Sequence, residues 1–450
     1  MGRPDVRDRD PLPQDGLPGR PACRSLPAVA GKAASRVHGG SGRGPPAVHG
    51  PREDQVGSGR HGPLLEAAGG VLAGRTRVPR HAAREEDQRG SPGLGLTARA
   101  DPRAGRGSPR SLVERPVVDA LALYEEARRR DTGQSGYYNR NIRVETGEGP
   151  AVVRMRSHGA EVMDLALWRE PEVLAAIADY VPSAPRLLYA GTDPEFQIHG
   201  FVPGRRVDTL GPEGTGVPGV VLNAVEGLFR EMLRVPASAL PRTPGDWPGE
   251  GDTPAFADRL TALVQTIRHR GDRRAEGLYE ALGVPKDPCG LLRERFRGLT
   301  PRRMGLLHAD LHRQNMILAD SGRVAFLDWE LALWGDPVYD LADHLHKMRY
   351  PADQAGEVTA GWERAAPEDC REGWRPDLGH YLAFEAVKSA VVDTVRWGRR
   401  IARAADAGER RGLAVELAAK LAAARPHWEA GARKGPEPRE IEEAVQRWVA

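Results

Sequence analysis

No aromatic residue occurs before Tyr124, and no isoleucine before Ile142. That boundary limits where this chain can build a core. Residues 1–115 consist of Gly, Pro, Arg, Ala and Ser with scattered His. Clusters such as Gly39-Gly40-Ser41-Gly42 and Gly44-Pro45-Pro46 interrupt helical and strand periodicity alike. Such a segment buries too little apolar area to offset backbone ordering entropy of about 1–2 kcal/mol per residue. It reads either as a disordered arginine-rich tail or as translated sequence lying upstream of the native start or out of frame. No function is expected of it.

The whole chain has 450 residues, enough for more than one folding unit. Its net charge of +3 arises from near-equal numbers of acidic and basic residues, which argues against a specific nucleic-acid or membrane partner. Cys23, Cys289 and Cys370 are too few and too dispersed for a disulfide framework or a metal-binding C-x-x-C pair. There is no apolar run long enough to span a bilayer and no signal-peptide stretch at the start. A cytoplasmic protein is expected.

Regular patterning begins at Leu112–Arg129, a predicted helix. Strands are predicted at Tyr137–Glu145 and Ala151–Arg156 around a Gly147–Pro150 turn. A helix follows over Val162–Tyr180, its main part starting at Glu170 because Pro171 suits a first turn. Leu187–Ala190 and Phe196–Val202 read as further strands. Beyond Pro203-Gly204 the pattern turns helical, at Val220–Leu233, Phe256–Arg268, Leu378–Ala404, Leu413–Ala424 and Glu440–Val449. Two short strands, Met304–His308 and Val324–Asp328, interrupt it.

Between those two strands lies the segment with chemical content. It reads His308-Ala-Asp310-Leu-His312-Arg-Gln-Asn315-Met-Ile-Leu, then a turn at Asp320-Ser321-Gly322, then Val324-Ala-Phe-Leu-Asp328-Trp329-Glu330. This is the spacing His-x-Asp-x-x-x-x-Asn with an aspartate ending the next strand. Phosphoryl transfer needs a carboxylate beside the acceptor hydroxyl and oxygen ligands for the metal on the phosphates. A loop between adjacent strands brings both within a few ångströms. Asp310 is the candidate catalytic base, and Asn315 and Asp328 are the candidate magnesium ligands.

At these residues the sequence resembles the aminoglycoside phosphotransferase and choline kinase-like family, relatives of the protein kinases. The likeness covers roughly residues 130 to 405 and is strongest over 305–345, continuing through Gly335-Asp336-Pro337-Val338-Tyr339-Asp340-Leu341-Ala342. It implies an α+β, two-lobed protein-kinase-like fold. The N-lobe, 116–202, would be a small antiparallel sheet that binds nucleotide. The C-lobe, 203–450, would be mostly helical and carry the loop and the acceptor site.

The resemblance also implies ATP, with GTP as the alternative, and Mg²⁺. It places a phosphate-binding cation on the strand Val152–Arg156, where the family commonly has lysine and this chain offers arginine. Arg154 is preferred over Arg156, the bland alternative being two solvated arginines on an edge strand. Glu170 is the expected ion-pair partner, with Glu172 as competitor. Backbone groups near His199 and Phe201 would meet the adenine. Gly133–Asn139 would cover the phosphates through backbone amides and Ser135 or Asn139, though it lacks a G-x-G-x-x-G pattern. Asp340 would brace the loop that His308 opens, a role compatible with capping a helix over Leu341–Met348.

The expected acceptor is a small molecule with a hydroxyl, most simply an aminoglycoside-type antibiotic. Glu330, Glu385 and Asp393 are the candidate carboxylates for a cationic amine, with Trp397 as a stacking surface. The basic residues Lys388, Arg396, Arg399 and Arg400 temper that expectation. A metabolic kinase for an amino alcohol or sugar, and a nucleotide-binding protein without transfer activity, are the competing readings. The oligomeric state is not legible.

Overall fold

A computed structural model describes residues 117–130, 134–135, 139–156, 166–212, 214–270, 273–429 and 434–450. The Gly/Pro/Arg-rich segment 1–115 lies outside them, as do most of the Gly133–Asn139 turn and the first part of the helix expected from Val162.

Five strands form an antiparallel sheet in the order β1-β2-β3-β5-β4: β1 Gln134–Ser135, β2 Asn139–Thr146, β3 Gly149–Arg156, β4 Leu187–Thr192 and β5 Glu195–Gly200. Alternation with period two gives the sheet two different faces. One buries Ile142, Val144, Val153, Met155, Phe196 and Ile198 beneath helix α1, Val117–Arg129, whose Ala120 and Ala127 are small enough to sit close. Arg154, Gln197 and His199 alternate with those apolar residues and so project from the other face. The β2–β3 turn closes on Gly149 at φ 113°, a conformation that favours glycine. Strand β3 lies between β2 and β5, so the edge-strand alternative for Arg154 and Arg156 is corrected.

Helix α2, Glu170–Ile177, crosses between β3 and β4. Pro171 sits in its first turn, Glu170 and Glu172 stand where the helix dipole favours anions, and Val173, Leu174 and Ile177 make its buried stripe. Residues 166–169 are not helical.

The remainder is mostly helix: α3 Gly219–Met232, α4 Thr253–Arg270, α5 Arg273–Ala281, α6 Gly290–Phe296, α7 Pro337–Met348, α8 Ala352–Ala365, α9 Glu368–Arg371, α10 Trp374–Arg403, α11 Ala407–Ala424 and α12 Pro438–Val449. Short strands thread through it. β6 Arg205–Arg206, β8 Met316–Leu318 and β9 Val324–Phe326 pair in the order β6-β8-β9, and β7 Gly305–Leu307 pairs with β10 Leu333–Gly335. This is the two-lobed α+β, kinase-like arrangement, a small antiparallel sheet beside a larger helical body. Among the described residues no helix is long and apolar enough to cross a membrane.

Two features fix α7, the helix behind the motif. Asp336 caps it, accepting from the Val338 amide at 3.0 Å with Pro337 at the first helical position. Both Asp336 oxygens also accept from Nη1 of the buried Arg302, at 2.8 and 3.1 Å, and Oδ2 accepts from the Tyr381 hydroxyl at 2.9 Å. Arg302 pairs with Asp377 of α10 as well. Aromatic contacts continue the packing, with Phe256 and Tyr339 ring centres 5.8 Å apart and Tyr339 and Tyr381 also 5.8 Å apart. Gly335 must be glycine, because a Cβ there would come within 2.2 Å of the Phe256 ring.

Candidate active site

The motif loop leaves β7 at Leu307 and returns through a short 3-10 turn, Arg313–Asn315, into β8. Ala309 has φ 57° and Asp328 φ 68°, left-handed conformations that are costly for residues other than glycine. Both are held by hydrogen bonds. The Asp340 carboxylate accepts from the His308 amide at 3.1 Å and the Ala309 amide at 2.7 Å. Asp340 therefore sits inside the first turn of α7, and the cap is Asp336 four residues earlier; the Leu341 helix start is corrected to Pro337. Burial pushes the Asp340 carboxyl up to about 7, opposed by those two amides.

Leu327 links the loop to Asp328. Its amide donates to the Asn315 carbonyl at 2.7 Å, and its carbonyl meets His308 Nε2 at 3.1 Å. The His308 ring is fully buried against Trp329, centroids 4.6 Å apart, and burial pushes its pKa down. A neutral imidazole donating to Leu327 is the form this geometry requires. His308 is thus a strut between the two halves of the motif.

Asp310 and Asn315 touch directly. The Asn315 side-chain amide donates to the Asp310 carbonyl at 2.9 Å and to its Oδ2 at 3.1 Å, which turns the Asn315 amide oxygen the other way. His312 caps the 3-10 turn and has Nε2 3.6 Å from Asp310 Oδ2. Lys347 of α7 closes on Oδ1 at 2.7 Å. Burial alone would raise the Asp310 carboxyl, but Lys347 and His312 outweigh it and hold it well below the usual carboxylate range. The side chains of Asp310 and Asp328 remain 23% and 25% exposed, so solvent reaches both carboxylates.

Across the cleft, Arg154 gathers three carboxylates. Its Nε lies 2.9 Å from Glu170, and its Nη2 lies 2.5 Å from Asp328 Oδ1 and 3.2 Å from Glu330. Glu170 accepts in addition from the Trp329 amide at 3.0 Å and from Gln197 at 3.2 Å, tying α2 to the residue after Asp328. Crowding decides the electrostatics. Burial, with Glu170 and Asp310 nearby, pushes Asp328 up against the pull of Arg154. Burial and the Asp328 charge push Glu330 up to about 7, although Arg154 and Asn139 pull the other way. One guanidinium does not fully offset the crowding of Asp328 and Glu330.

Several expected residues stand elsewhere than the sequence suggested. Glu330 is bound by Arg154 and, at 2.7 Å, by the Asn139 side chain, so its charge is matched within the Arg154 cluster. Glu385 is fully buried and paired with Lys388 at 2.7 Å. Asp393 is buried, with Lys420 at 2.8 Å and Ser389 at 3.1 Å. Neither offers an unmatched charge to a cation. The Trp397 ring already carries Arg400 and Lys420, at 4.8 and 5.5 Å from its centre. His199 is enclosed within β5, its Nε2 bonded to Gln197 at 2.8 Å, and burial pushes it down to about 3. The Phe201 amide is committed to the Pro150 carbonyl at 3.2 Å, and its ring lies under Arg143. Ser135 lies in β1, but its side chain is outside the described residues.

Sequence reasoning missed Lys347 and Asp343. The signal was present, because Asp340, Asp343 and Lys347 recur at three- and four-residue intervals and so share one helical face. A cavity of about 480 Å³ opens beside the Arg154 cluster, walled by Asn139, Arg154, Glu170 and Glu330 together with Trp168 and Arg242.

Residues 132–376 match the model of the phosphotransferase enzyme family (APH). No curated protein matches the chain. Among solved structures, choline kinase LicA from Streptococcus pneumoniae aligns at 11% identity over 68% of this chain and 99% of its own, with a TM-score of 0.43. An ethanolamine kinase from Plasmodium vivax aligns at 13% over 66% and 85%, TM-score 0.44. The macrolide 2'-phosphotransferase MphH from Brachybacterium faecium aligns at 18% over 69% and 99%, TM-score 0.40.

Proposed function

The chain belongs to the phosphotransferase enzyme family, and on that premise we propose that it moves the γ-phosphate of ATP to a hydroxyl of a small molecule. One observation carries this reading. Asp310, Asn315 and Asp328 are locked to one another through His308 and Leu327, with the Asp310 and Asp328 carboxylates each partly exposed to solvent. We take 116–202 as the nucleotide-binding lobe and 203–450 as the lobe bearing the acceptor site.

In the proposed reaction the acceptor oxygen bonds to the γ-phosphorus as the bond to the β–γ bridging oxygen breaks. That electron pair leaves with ADP, and the hydroxyl proton passes to Asp310 Oδ2. A weakly basic carboxylate suits a loose transition state, in which the acceptor loses its proton late. Arg154 would bind phosphate oxygens, anchored by Glu170 from α2. Arginine offers a planar fork where lysine offers a point charge, which is why it can serve three carboxylates here.

The donor set fits magnesium. Asn315 turns a neutral amide oxygen outward and Asp328 adds an anionic one, hard ligands of the type Mg²⁺ takes. Among the described residues no group of three His, Cys, Asp or Glu forms a dedicated cage, which matches a metal that draws its other ligands from phosphates and water. Bound magnesium would neutralise charge on the transferring phosphate.

The acceptor expected from the sequence was an aminoglycoside. A second reading is favoured by a specific observation: Glu385 and Asp393 are each matched by a lysine, and Glu330 is drawn to Arg154. An uncharged polyol or sugar acceptor depends on none of these carboxylates. Incubation of the protein with MgATP and a panel of aminoglycosides, macrolides, amino alcohols and sugars tests both readings by phosphate incorporation. Incorporation into aminoglycosides alone would sink the second, and incorporation into none of them, without ATP turnover, would sink the enzyme assignment.

A further inference from the structure

The Lys347 ammonium has three N–H donors, and three acceptors surround it. They are Asp310 Oδ1 at 2.7 Å, Asp343 Oδ1 at 2.9 Å and the Ala309 carbonyl at 3.2 Å. Two of them belong to the motif loop and the third to Lys347's own helix, one turn back. The ammonium therefore has no donor left for a phosphate or an acceptor molecule. Two of its three contacts hold the loop, and the third ties it to its own helix.

Asp343 does not stand alone either. It is fully buried and is also bound by Lys388 at 3.0 Å, and Lys388 is held by Glu385 at 2.7 Å and the Tyr339 hydroxyl at 3.0 Å. The result is a row of alternating charges, Asp310, Lys347, Asp343, Lys388 and Glu385, from the cleft into α10. Buried charges are costly singly and tolerable when each has opposite neighbours. The row is rooted in two packed helices, so its end at Asp310 is rigid. The other Asp310 oxygen, Oδ2, meets Asn315 at 3.1 Å and His312 at 3.6 Å.

Resting on the phosphotransferase reading above, we propose that Lys347 is a positioning residue for Asp310. By holding Oδ1 against α7 it sets the plane of the carboxylate, so that Oδ2 is the oxygen offered to the acceptor hydroxyl. Without it Oδ1 loses its anchor and only Asn315 and His312, both on Oδ2, restrain the carboxylate; misplacement of a reacting group by about 1 Å costs on the order of 10²-fold in rate.

Steady-state turnover of MgATP to ADP, with water as the acceptor, tests this on Lys347→Met, Lys347→Arg and Asp310→Asn beside wild type, with MgADP binding read by calorimetry. The expected result is a kcat for Lys347→Met lowered about 10²-fold, with the KM for MgATP and the MgADP affinity unchanged. Lys347→Arg, which restores a cation, should recover roughly tenfold of that loss. Lys347→Gln, which keeps a side-chain donor, replaces Lys347→Met if the latter does not fold, with the same expectation for kcat and KM. A wild-type kcat in the neutral variant, or a KM that worsens in step with kcat, overturns the proposal. Wild-type turnover by Asp310→Asn is a separate outcome, which would remove the phosphotransferase reading itself.

Discussion

Arg154 Nη2 lies 2.5 Å from Asp328 Oδ1, joining the middle of the small sheet to the residue that ends the motif. The two are 174 residues apart in sequence, and the contact makes the relative placement of sheet and loop a matter of charge as well as packing.

Replacing Arg154 by lysine should expose what the fork does. A lysine reaches one or two of the three carboxylates, and a charged hydrogen bond is worth about 1.5–3 kcal/mol. Arg154→Lys is therefore expected to raise the KM for MgATP by roughly 10- to 100-fold. Steady-state kinetics at saturating acceptor would check this, and an unchanged KM would show that the nucleotide does not depend on the fork.

Asp340→Asn keeps the size of the side chain but leaves one acceptor oxygen where two backbone amides, of His308 and Ala309, now donate. The amide group turns a donor toward a donor, at a cost of about 1–3 kcal/mol. Ala309, at φ 57°, should relax, and kcat should fall while the protein remains folded by circular dichroism. Retained kcat would show that the loop is braced by something else.

Stability should be most sensitive at Arg302, which is buried among Asp336, Asp377 and the Glu372 carbonyl. Arg302→Met leaves two buried carboxylates without their cation and weakens the cap of α7. The expected loss is about 3–5 kcal/mol, measured by urea unfolding. A loss below 1 kcal/mol, about that of a surface pair, would mean that the cluster is dispensable.

His344 predicts a pH dependence. Its ring bonds the Leu311 carbonyl at 2.9 Å and the Tyr350 hydroxyl at 3.1 Å, and burial pushes it down to about 4. The unfolded chain takes up the proton first, near pH 6.5. His344 thus contributes stability that is complete above about pH 6.5 and is lost as pH falls toward 4, ~3 kcal/mol in all. The difference in unfolding free energy between wild type and His344→Asn should shrink by that amount between pH 7 and pH 4. A constant difference would contradict the burial argument.

The fold was largely legible because its parts are local. Alternation in Ala151–Arg156 and the apolar stripe of α2 name their own elements, and the His308–Asp328 motif brackets a single hairpin, β8–β9. What was not legible depended on partners distant in sequence. Glu385 and Asp393 look like charges on an exposed helix face until Lys388 and Lys420 are seen against them. Glu330 follows Asp328 by two residues, yet Arg154 and Asn139 draw it to the sheet. Strand β10 is three residues long, with Trp334 at its middle, and only its pairing with β7 makes it a strand. Lys347 shares a helical face with Asp340 and Asp343, but only the fold shows that this face meets Asp310.

The central claim is that Asp310 acts on the acceptor and takes no part in holding nucleotide. Phosphate transfer from MgATP, to the acceptor found by screening or to water, should be measured for Asp310→Asn, with MgATP affinity determined separately by calorimetry. The predicted result is turnover reduced about 10²–10⁴-fold with nucleotide affinity unaltered. Undiminished transfer, or a rate loss explained wholly by weaker MgATP binding, would contradict it.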